Sequence, residues 1–399
     1  MPSLLTADLP GTGGLIKETP EDFFVEELPL YLPCGEGEHL YLTVEKKGLT
    51  TFELLQRLAG ALGVRERDFG YAGLKDARAT TRQTVSVAGV PVERGLALRL
   101  DGVTVLSASL HRNKLRLGHL AGNRFVIRLR QVAPDALENA RAILGVLESS
   151  GVPNRFGRQR YGALGNSDRI GRALLRRDYP EVVRELIGDP AVIDNERWRE
   201  AARCFAGGDL RRTLDLLPAH CRNERTVLRA LCEGRSADEA VRLLPHKLLR
   251  LYLSAYQSRL FDRLVESRLP ALGTLLPGDL AYKHANGACF PVSDPATEQR
   301  RADCFEISPS APLFGCKVPL AKDQAGRLEE ELLASEGLSL GDFHLGAGLT
   351  MEGERRPLRV PLHAPQLRSE GDDLLLGFSL PKGSYATCVA DEVMKPPSL

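Results

Sequence analysis

Strand-like segments stand near both ends of the chain and enclose a long helical stretch, and this order strongly limits the possible folds. Residues 23–27 and 40–44 carry the aromatic and β-branched side chains typical of strands. Residues from about 166 to 270 are mostly helical in pattern, and residues 272–350 read as Pro- and Gly-rich short strands and loops. Strand character returns at residues 358–360 and 374–380, and a last helix is predicted at residues 386–394. This order favours one core built from both chain ends, interrupted by an insertion of roughly 200 residues.

Several local patterns assign individual elements. Thr50 and Glu53 form a capping box that starts a helix, and Gly63 ends it. The buried face of this helix is predicted to consist of Phe52, Leu55, Leu58, Ala59 and Leu62. Residues 124–130 alternate apolar and basic side chains, which predicts a half-buried strand with a basic outer face.

Two more helices are predicted, at residues 134–150 and 246–269, from their apolar spacing. Tyr252 and Tyr256 stand at helical spacing in the second of these helices. We expect both tyrosines to pack in a hydrophobic core rather than to contact a ligand.

Composition excludes several classes of protein. A chain of 399 residues, 43% hydrophobic and 26% charged, is long enough for two globular cores. No apolar run approaches the ~18 residues that span a bilayer, and the N-terminus lacks the pattern of a secretory signal. The eight cysteines include no C-x-x-C pair, which argues against a zinc ribbon and a disulfide framework. We therefore expect a cytoplasmic protein with no metal site and no membrane contact.

Basic residues are concentrated in two segments although the net charge is only +1. Residues 111–130 contain six lysines and arginines and no acidic residue, and residues 151–177 contain seven arginines against Asp168 alone. Basic runs are often only solvated faces. Two of them in a nearly neutral chain favour a polyanionic ligand such as RNA.

One loop carries the strongest chemical signal. Asp76 lies in a Gly-flanked polar segment, residues 70–83, together with Lys75, Arg78, Thr80 and Gln83. An unperturbed Asp has a pKa of ~3.9, and nearby cations favour its charged form. Such a carboxylate suits attack at, or stabilisation of, a developing cationic sugar carbon. A turn or capping role for Asp76 is the alternative that the residues alone leave open.

The motifs around this loop resemble those of the TruD family of RNA pseudouridine synthases. The Gly-Leu-Lys-Asp sequence at residues 73–76, with Ala79, Thr81 and Gln83, is similar to the catalytic motif of that family. Further similar blocks, in the same order, lie at residues 17–27, 35–39, 114–118, 122–125, 151–162 and 380–387. The resemblance covers about 200 residues from both chain ends.

The resemblance implies a fold and an activity. The fold would be α+β: a pseudouridine-synthase mixed-sheet core at residues 1–150 and 356–399, interrupted by a mixed α/β insertion (TRUD) domain at residues 151–355. The enzyme would isomerise a uridine in RNA without any cofactor, with Asp76 as catalytic carboxylate. Residues implied to line the uridine pocket are Lys17, Lys75, Asn123, Phe125 and Tyr385. The aromatic at position 385 is often Phe in this family, which leaves open whether the Tyr385 hydroxyl helps to remove the C5 proton.

The RNA is expected to be tRNA, modified at uridine 13, since the family includes such enzymes. Arg155, Arg158 and Arg160 are predicted to contact its phosphates, which would position the RNA without reading its sequence. No obligate protein partner is implied. Two other functions stay open: a catalytically silent RNA-binding protein on the same core, and an RNA or nucleoside glycosylase. A glycosylase usually needs a second carboxylate, and none is evident in these motifs.

Overall fold

The computed structural model describes residues 3–346 and 348–396. They form two compact units. The first unit is Met1–Val152 together with Val360–Leu399, and the second is Pro153–Arg359.

The strands of the described residues, in chain order, are β1 (Leu15–Ile16), β2 (Phe23–Pro29), β3 (His39–Lys47), β4 (Gly70–Tyr71), β5 (Thr80–Ala88), β6 (Val103–His111), β7 (Leu120–Arg130), β8 (Val152–Pro153), β9 (Leu280–Lys283), β10 (Cys289–Pro291), β11 (Ile307–Leu313), β12 (Glu354–Pro357), β13 (Arg359–Val360), β14 (His363–Glu370) and β15 (Asp373–Pro381). The α-helices are α1 (Thr51–Leu62), α2 (Val92–Leu96), α3 (Ala136–Ser150), α4 (Ser167–Leu175), α5 (Tyr179–Ile187), α6 (Glu196–Ala206), α7 (Leu210–Leu216), α8 (Arg222–Cys232), α9 (Ala237–Val241), α10 (His246–Arg268), α11 (Pro295–Asp303), α12 (Asp323–Ser335) and α13 (Ala386–Met394).

A mixed sheet forms the centre of the first unit. Its strand order is β14-β15-β7-β2-β5-β3-β6, with β1 beside β7 and β4 beside β5. Neighbouring strands are antiparallel except β2 and β5, which are parallel. Strands from both chain ends meet where β15 pairs with β7, from Leu374 opposite Leu129 to Pro381 opposite Gly122. The predicted α+β fold, with a sheet made from both chain ends, is confirmed.

Two hydrophobic clusters cover this sheet. One cluster packs α3 and α13 against β2, β7 and β15, and includes Phe125, Ile127 and Leu129. The other packs α1 against β3 and β5 and includes Leu42, which is fully buried. The alternation predicted for residues 124–130 is confirmed, because Phe125, Ile127 and Leu129 are buried, whereas Arg124 is exposed and Arg128 and Arg130 are half-buried.

Helix α1 has the predicted ends but a different buried face. Thr50 accepts from Glu53 N–H as the capping box requires, and Gly63 adopts φ 67° at the other end. Phe52, predicted to be buried, is 57% exposed, so that assignment was wrong. The buried stripe starts instead at Thr51, seven residues before Leu58 and therefore on the same side of the helix. The hydroxyl of Thr51 belongs to the site described below.

The second unit is built around the long helix α10. Tyr252 and Tyr256 are 8% and 4% exposed on this helix, which confirms their assignment to the core. A four-stranded sheet of order β10-β9-β11-β12 lies in the same unit. Residues 272–350 were predicted as strands and loops only, which is wrong, because α11 and α12 lie in this segment. The sequence of helix α12 lacks a clear apolar pattern because Glu329, which pairs with Arg355, occupies its buried face.

Candidate active site

A continuous row of side chains crosses one face of the sheet in the first unit. Lys46 of β3 is opposite Thr81 of β5, and Thr81 is opposite Val25 of β2. Val25 is opposite Phe125 of β7 in turn, and Phe125 is opposite Phe378 of β15. Directly paired residues point to the same side of a sheet. Lys46 and Thr81 therefore stand on the face that also carries the aromatic cluster around Phe125.

Asp76 lies in the loop that joins β4 to β5. Its Oδ1 accepts from the backbone N–H of Arg78 at 3.0 Å, which fixes a local turn. Its Oδ2 accepts from Nζ of Lys17 at 2.5 Å. The side chain of Asp76 is 21% exposed, so the carboxylate is held in place and yet accessible to a ligand.

Lys17 holds an unusual backbone conformation beside this carboxylate. Its φ is 62°, in the left-handed region that side chains other than glycine rarely adopt. Its ammonium group lies 4.2 Å from the centre of the Phe23 ring, a cation–π distance. Strained residues of this kind concentrate at functional sites, which fits the position of Lys17.

Lys75 links Asp76 to the sheet. Its Nζ lies 3.0 Å from Oε1 of Glu27 and donates to Oδ1 of Asn123 at 2.7 Å. Its backbone N–H donates to Oγ1 of Thr51 at 2.9 Å. The side chains of Lys75 and Glu27 are only 6% and 5% exposed, so this is a buried ion pair. Glu27 also accepts from the backbone N–H of Thr84. Glu26 and Arg82 are the last directly paired residues of β2 and β5, so this hydrogen bond lies just beyond the paired part of the two strands.

Lys46 is a buried cation beneath the loop. Its side chain is 0% exposed, and its Nζ donates to the backbone carbonyls of Leu49 and, at 3.2 Å, of Asp76 itself. Burial lowers the pKa of Lys46 from 10.5 to about 8, although the Asp76 carboxylate favours its charged form.

Three of the predicted pocket residues, Lys17, Lys75 and Asn123, come together around Asp76. Lys17 contacts Asp76, Lys75 directly precedes Asp76 in the sequence, and Lys75 contacts Asn123. Phe125 lies two residues beyond Asn123 on the same strand face, but it is 6% exposed and packs against Phe23 and Phe378. Its predicted stacking on a base stays a prediction.

Tyr385 stands at the start of α13 and packs, partly buried, against the hydrophobic cluster that contains Phe125. Its predicted role in the pocket also stays a prediction, as does any role of its hydroxyl.

The sequence did not single out three members of the site, Glu27, Lys46 and Thr51. A signal existed for Lys46, because it continues the alternation of Leu40, Leu42 and Val44 and so falls on the buried face. Glu27 continues the alternation of Phe23 and Val25 in the same way.

The three arginines predicted to contact phosphates differ in exposure. Arg155 is 4% exposed. Arg160 donates to Ser258 and Ser254 of α10 at 2.9 and 2.7 Å. Arg158 is exposed. Phosphate binding stays a prediction, and as the structure stands Arg158 is the member of this group best placed for it.

Within residues 3–346 and 348–396, no three His, Cys, Asp or Glu side chains are grouped so as to hold a metal ion. No helix of the same residues is long and apolar enough to cross a membrane.

Comparison with known proteins agrees with this architecture. The model of the family "tRNA pseudouridine synthase D (TruD)" matches residues 2–393. A tRNA pseudouridine synthase D from Syntrophotalea carbinolica is 61% identical, with 99% of each chain covered. Another from Geobacter metallireducens is 58% identical, covering 98% of this chain and 97% of the relative. A crystal structure of the Methanosarcina mazei protein described as TruD superposes with a TM-score of 0.84. That protein is 27% identical, with 98% of this chain and 96% of the other covered.

The fold and the full-length similarity together define the class of protein, a pseudouridine synthase, which is an isomerase. The chain belongs to the tRNA pseudouridine synthase D (TruD) family, as its motifs predicted.

Proposed function

We propose that this enzyme converts uridine 13 of tRNA to pseudouridine, with Asp76 as its catalytic carboxylate. The substrate class rests on the names of the similar proteins, which are tRNA pseudouridine synthases. The position within the tRNA rests on the family resemblance. The observation that carries the catalytic role is the accessible Asp76 carboxylate, fixed between Lys17 Nζ and the Arg78 backbone N–H.

The chemistry needs an ionised carboxylate next to the sugar. A uridine stacked in RNA must first be flipped out of its helix to reach such a group. Asp76 would then attack C1′ or stabilise its developing positive charge. Lys17 supports this role because its ammonium group, 2.5 Å from Oδ2, favours the charged form of the carboxylate and fixes its direction.

The isomerisation balances without a cofactor. The bond between C1′ and N1 of uracil breaks, the base turns, and C1′ bonds to C5. The proton lost from C5 is matched by the proton that N1 gains. Uracil must be retained during the turn, and a site that excludes water limits loss of the base.

Lys75 and Asn123 are suited to hold the turning base. Asn123 accepts from Lys75 through its Oδ1, which leaves its amide NH₂ as a donor for a uracil carbonyl. The buried pair of Lys75 and Glu27 fixes this arrangement, because a lysine that is 6% exposed has little freedom to move.

The proposal is tested with purified protein and tRNA transcripts. We expect pseudouridine at position 13 of a transcript with uridine there, and none in a matched transcript with cytidine at that position. RNA from cells that lack the protein should lose the same modification. Formation of pseudouridine only at another site would contradict the position.

Two other results would contradict the activity itself. Release of free uracil without pseudouridine would identify a glycosylase. RNA binding with neither product, in protein shown to be folded, would identify a silent RNA-binding protein.

A further inference from the structure

A cavity outside the proposed catalytic site lies at one end of the first unit's sheet. Among the residues that line it are Tyr31, Tyr41, Thr43, Ser107, Ser109 and His119. Its volume is about 80 Å³, and a more open depression of about 600 Å³ shares Tyr31 and His119 with it. The larger of the two volumes is within the ~300–1,000 Å³ typical of ligand pockets.

The pairing of β3 with β6 explains why polar side chains form the floor of this cavity. Tyr41 of β3 is opposite Ser109 of β6, and Thr43 is opposite Ser107. These residues alternate with Leu42 and its buried neighbours, so they point to the opposite face of the sheet from α1. The hydroxyl groups of Thr43, Ser107 and Ser109, each able to donate and accept hydrogen bonds, therefore stand together on this floor.

Aromatic rings form one wall of the cavity. Tyr31 stacks on His111 with ring centres 5.2 Å apart and an angle of 23°. Its hydroxyl group is 2.7 Å from Nδ1 of His119. The ring of Tyr41 meets His111 edge-on at 4.9 Å. These contacts hold the rings in place before any ligand binds, which limits the entropy lost on binding.

Cations border the outer side of this wall. The more open depression shares Tyr31 and His119 with the cavity and is also lined by Lys114 and Arg116. Arg116 is exposed, and Lys114 donates to the backbone carbonyl of Arg67 at 3.1 Å. Aromatic faces beside a positive rim are the combination by which proteins bind single-stranded nucleic acid.

The cavity shares one residue with the surroundings of the proposed catalytic site. Glu27, whose carboxylate pairs with Lys75, is among its lining residues. Ala72, near the start of the loop that carries Asp76, lines it as well and accepts from the backbone N–H of Gly118. Glu27 therefore borders both Lys75 of the proposed catalytic site and this cavity.

We propose that this cavity binds a second, unpaired nucleotide of the RNA substrate, with its base against the Tyr31 and His119 rings and its phosphate toward Arg116. The proposal rests on the function proposed above. RNA is favoured over a protein partner because hydroxyl groups, aromatic rings and a cationic rim together match a base and its phosphate.

Crosslinking tests the proposal without any change in the protein. RNA substrate that carries 5-iodouridine at single unpaired positions is irradiated with the full-length enzyme, and the attachment site is read by mass spectrometry. We expect attachment at Tyr31, Tyr41 or His119 for at least one position other than the modified uridine. Attachment only elsewhere in the chain would overturn the proposal.

A pair of variants provides the quantitative test. Tyr31→Ala should weaken RNA binding by about 10-fold, since one base–aromatic stack is removed. Tyr31→Phe keeps the ring and should bind within about 2-fold of the parent. Equal RNA affinity of folded Tyr31→Ala and parent would overturn the proposal.

A charge variant tests the rim. Arg116→Gln should flatten the slope of log K against log salt by about 0.7, the value for one single-strand phosphate contact. Arg141→Gln, which changes an exposed arginine on α3, is the matched control and should leave the slope unchanged. Failure of the parent to form pseudouridine would instead contradict the proposed function, so the two failures are distinguishable.

Discussion

Lys46 carries a charge at a position where β3 otherwise buries aliphatic side chains. Burial lowers its pKa from 10.5 to about 8, which corresponds to a cost of roughly 3 kcal/mol for the charged form near neutral pH. Two backbone carbonyls accept from its Nζ, and one of them belongs to Asp76. A neutral amine keeps two N–H donors, so it can hold the same two carbonyls after it loses its charge.

The pH dependence of stability tests this account of Lys46. Between about pH 8 and 10.5 the unfolded chain binds the Lys46 proton more tightly than the folded protein does. The cost of burying the charge is therefore fully present below pH 8 and is lost as the pH rises toward 10.5. Relative to Lys46→Met, the parent should gain up to roughly 3 kcal/mol of unfolding free energy between about pH 7 and pH 10.

Chemical denaturation of both proteins across this pH range measures the gain, and groups common to both proteins cancel in the difference. A difference independent of pH would contradict the lowered pKa.

Single residues of the site were predictable where the signal is local. Lys75 and Asp76 stand side by side in one loop, so the motif alone brings them together. Lys17 precedes Asp76 by 59 residues, and its contact depends on the whole sheet, so only the family resemblance indicated it. Phe125 is 6% exposed, which the sequence did not indicate, because burial depends on neighbours that one sequence does not reveal; its stacking on a base stays a prediction.

At the scale of elements, strand β7 positions two residues of the proposed site in the first unit. It pairs with β2 on one side and β15 on the other, and it carries both Asn123 and Phe125. Gly122 comes immediately before Asn123, and a Cβ atom there would lie 2.3 Å from the backbone oxygen of Leu380. Glycine is therefore required at position 122, because the backbones of β7 and β15 approach too closely there for a side chain.

Gly122→Ala tests this requirement. The added methyl group must push two paired strands apart, so we expect a loss of about 1–3 kcal/mol in unfolding free energy. Pseudouridine formation should also fall, because Asn123 shifts with the strand. Gly145→Ala on α3 is the matched control, since its Cβ would meet nothing within 4 Å.

The control should be neutral or stabilise the protein by up to about 1 kcal/mol, because alanine favours helices. Equal stability of the Gly122→Ala variant and the parent in thermal or urea unfolding would show that the sheet accommodates the methyl group.

Elements with strong local signals were predicted correctly. Helix α1 has its capping box and its glycine end, and β7 has a strict alternation. Helix α12 was missed because its buried face contains Ala325, Gly326 and Glu329, which give little apolar periodicity. The buried charge of Glu329 is compensated by Arg355, 26 residues away, and no local pattern reveals such a partner.

At the scale of the whole molecule, a net charge of +1 means that RNA affinity must come from local groups of cations. The sequence placed three phosphate contacts at Arg155, Arg158 and Arg160. The sequence did not indicate that Arg155 is buried or that Arg160 donates to α10. The serines of α10 that accept from Arg160 lie 94 and 98 residues further along the chain.

Salt dependence of RNA binding distinguishes these arginines. Arg158→Gln should flatten the slope of log K against log salt by about 0.7–0.9, the contribution of one phosphate contact. Arg327→Gln on α12, also exposed, is the control and should leave the slope unchanged. An unchanged slope for Arg158→Gln in folded protein would identify Arg158 as an ordinary surface residue.

The central claim concerns Asp76 and is tested by Asp76→Asn under single-turnover conditions. The change keeps the size of the side chain and removes its charge, so the loss should fall on the chemical step rather than on binding. The fold should survive, because the ion pair with Lys17 is partly exposed and such pairs contribute at most about 1 kcal/mol. Asp135→Asn, at an exposed position just before α3, is the control for charge removal and should keep full activity.

The measurement is pseudouridine formed per enzyme, read together with RNA affinity. We predict no detectable pseudouridine with Asp76→Asn and an affinity within a few-fold of the parent. Retained turnover in folded Asp76→Asn protein would contradict the assignment of Asp76 as the catalytic carboxylate.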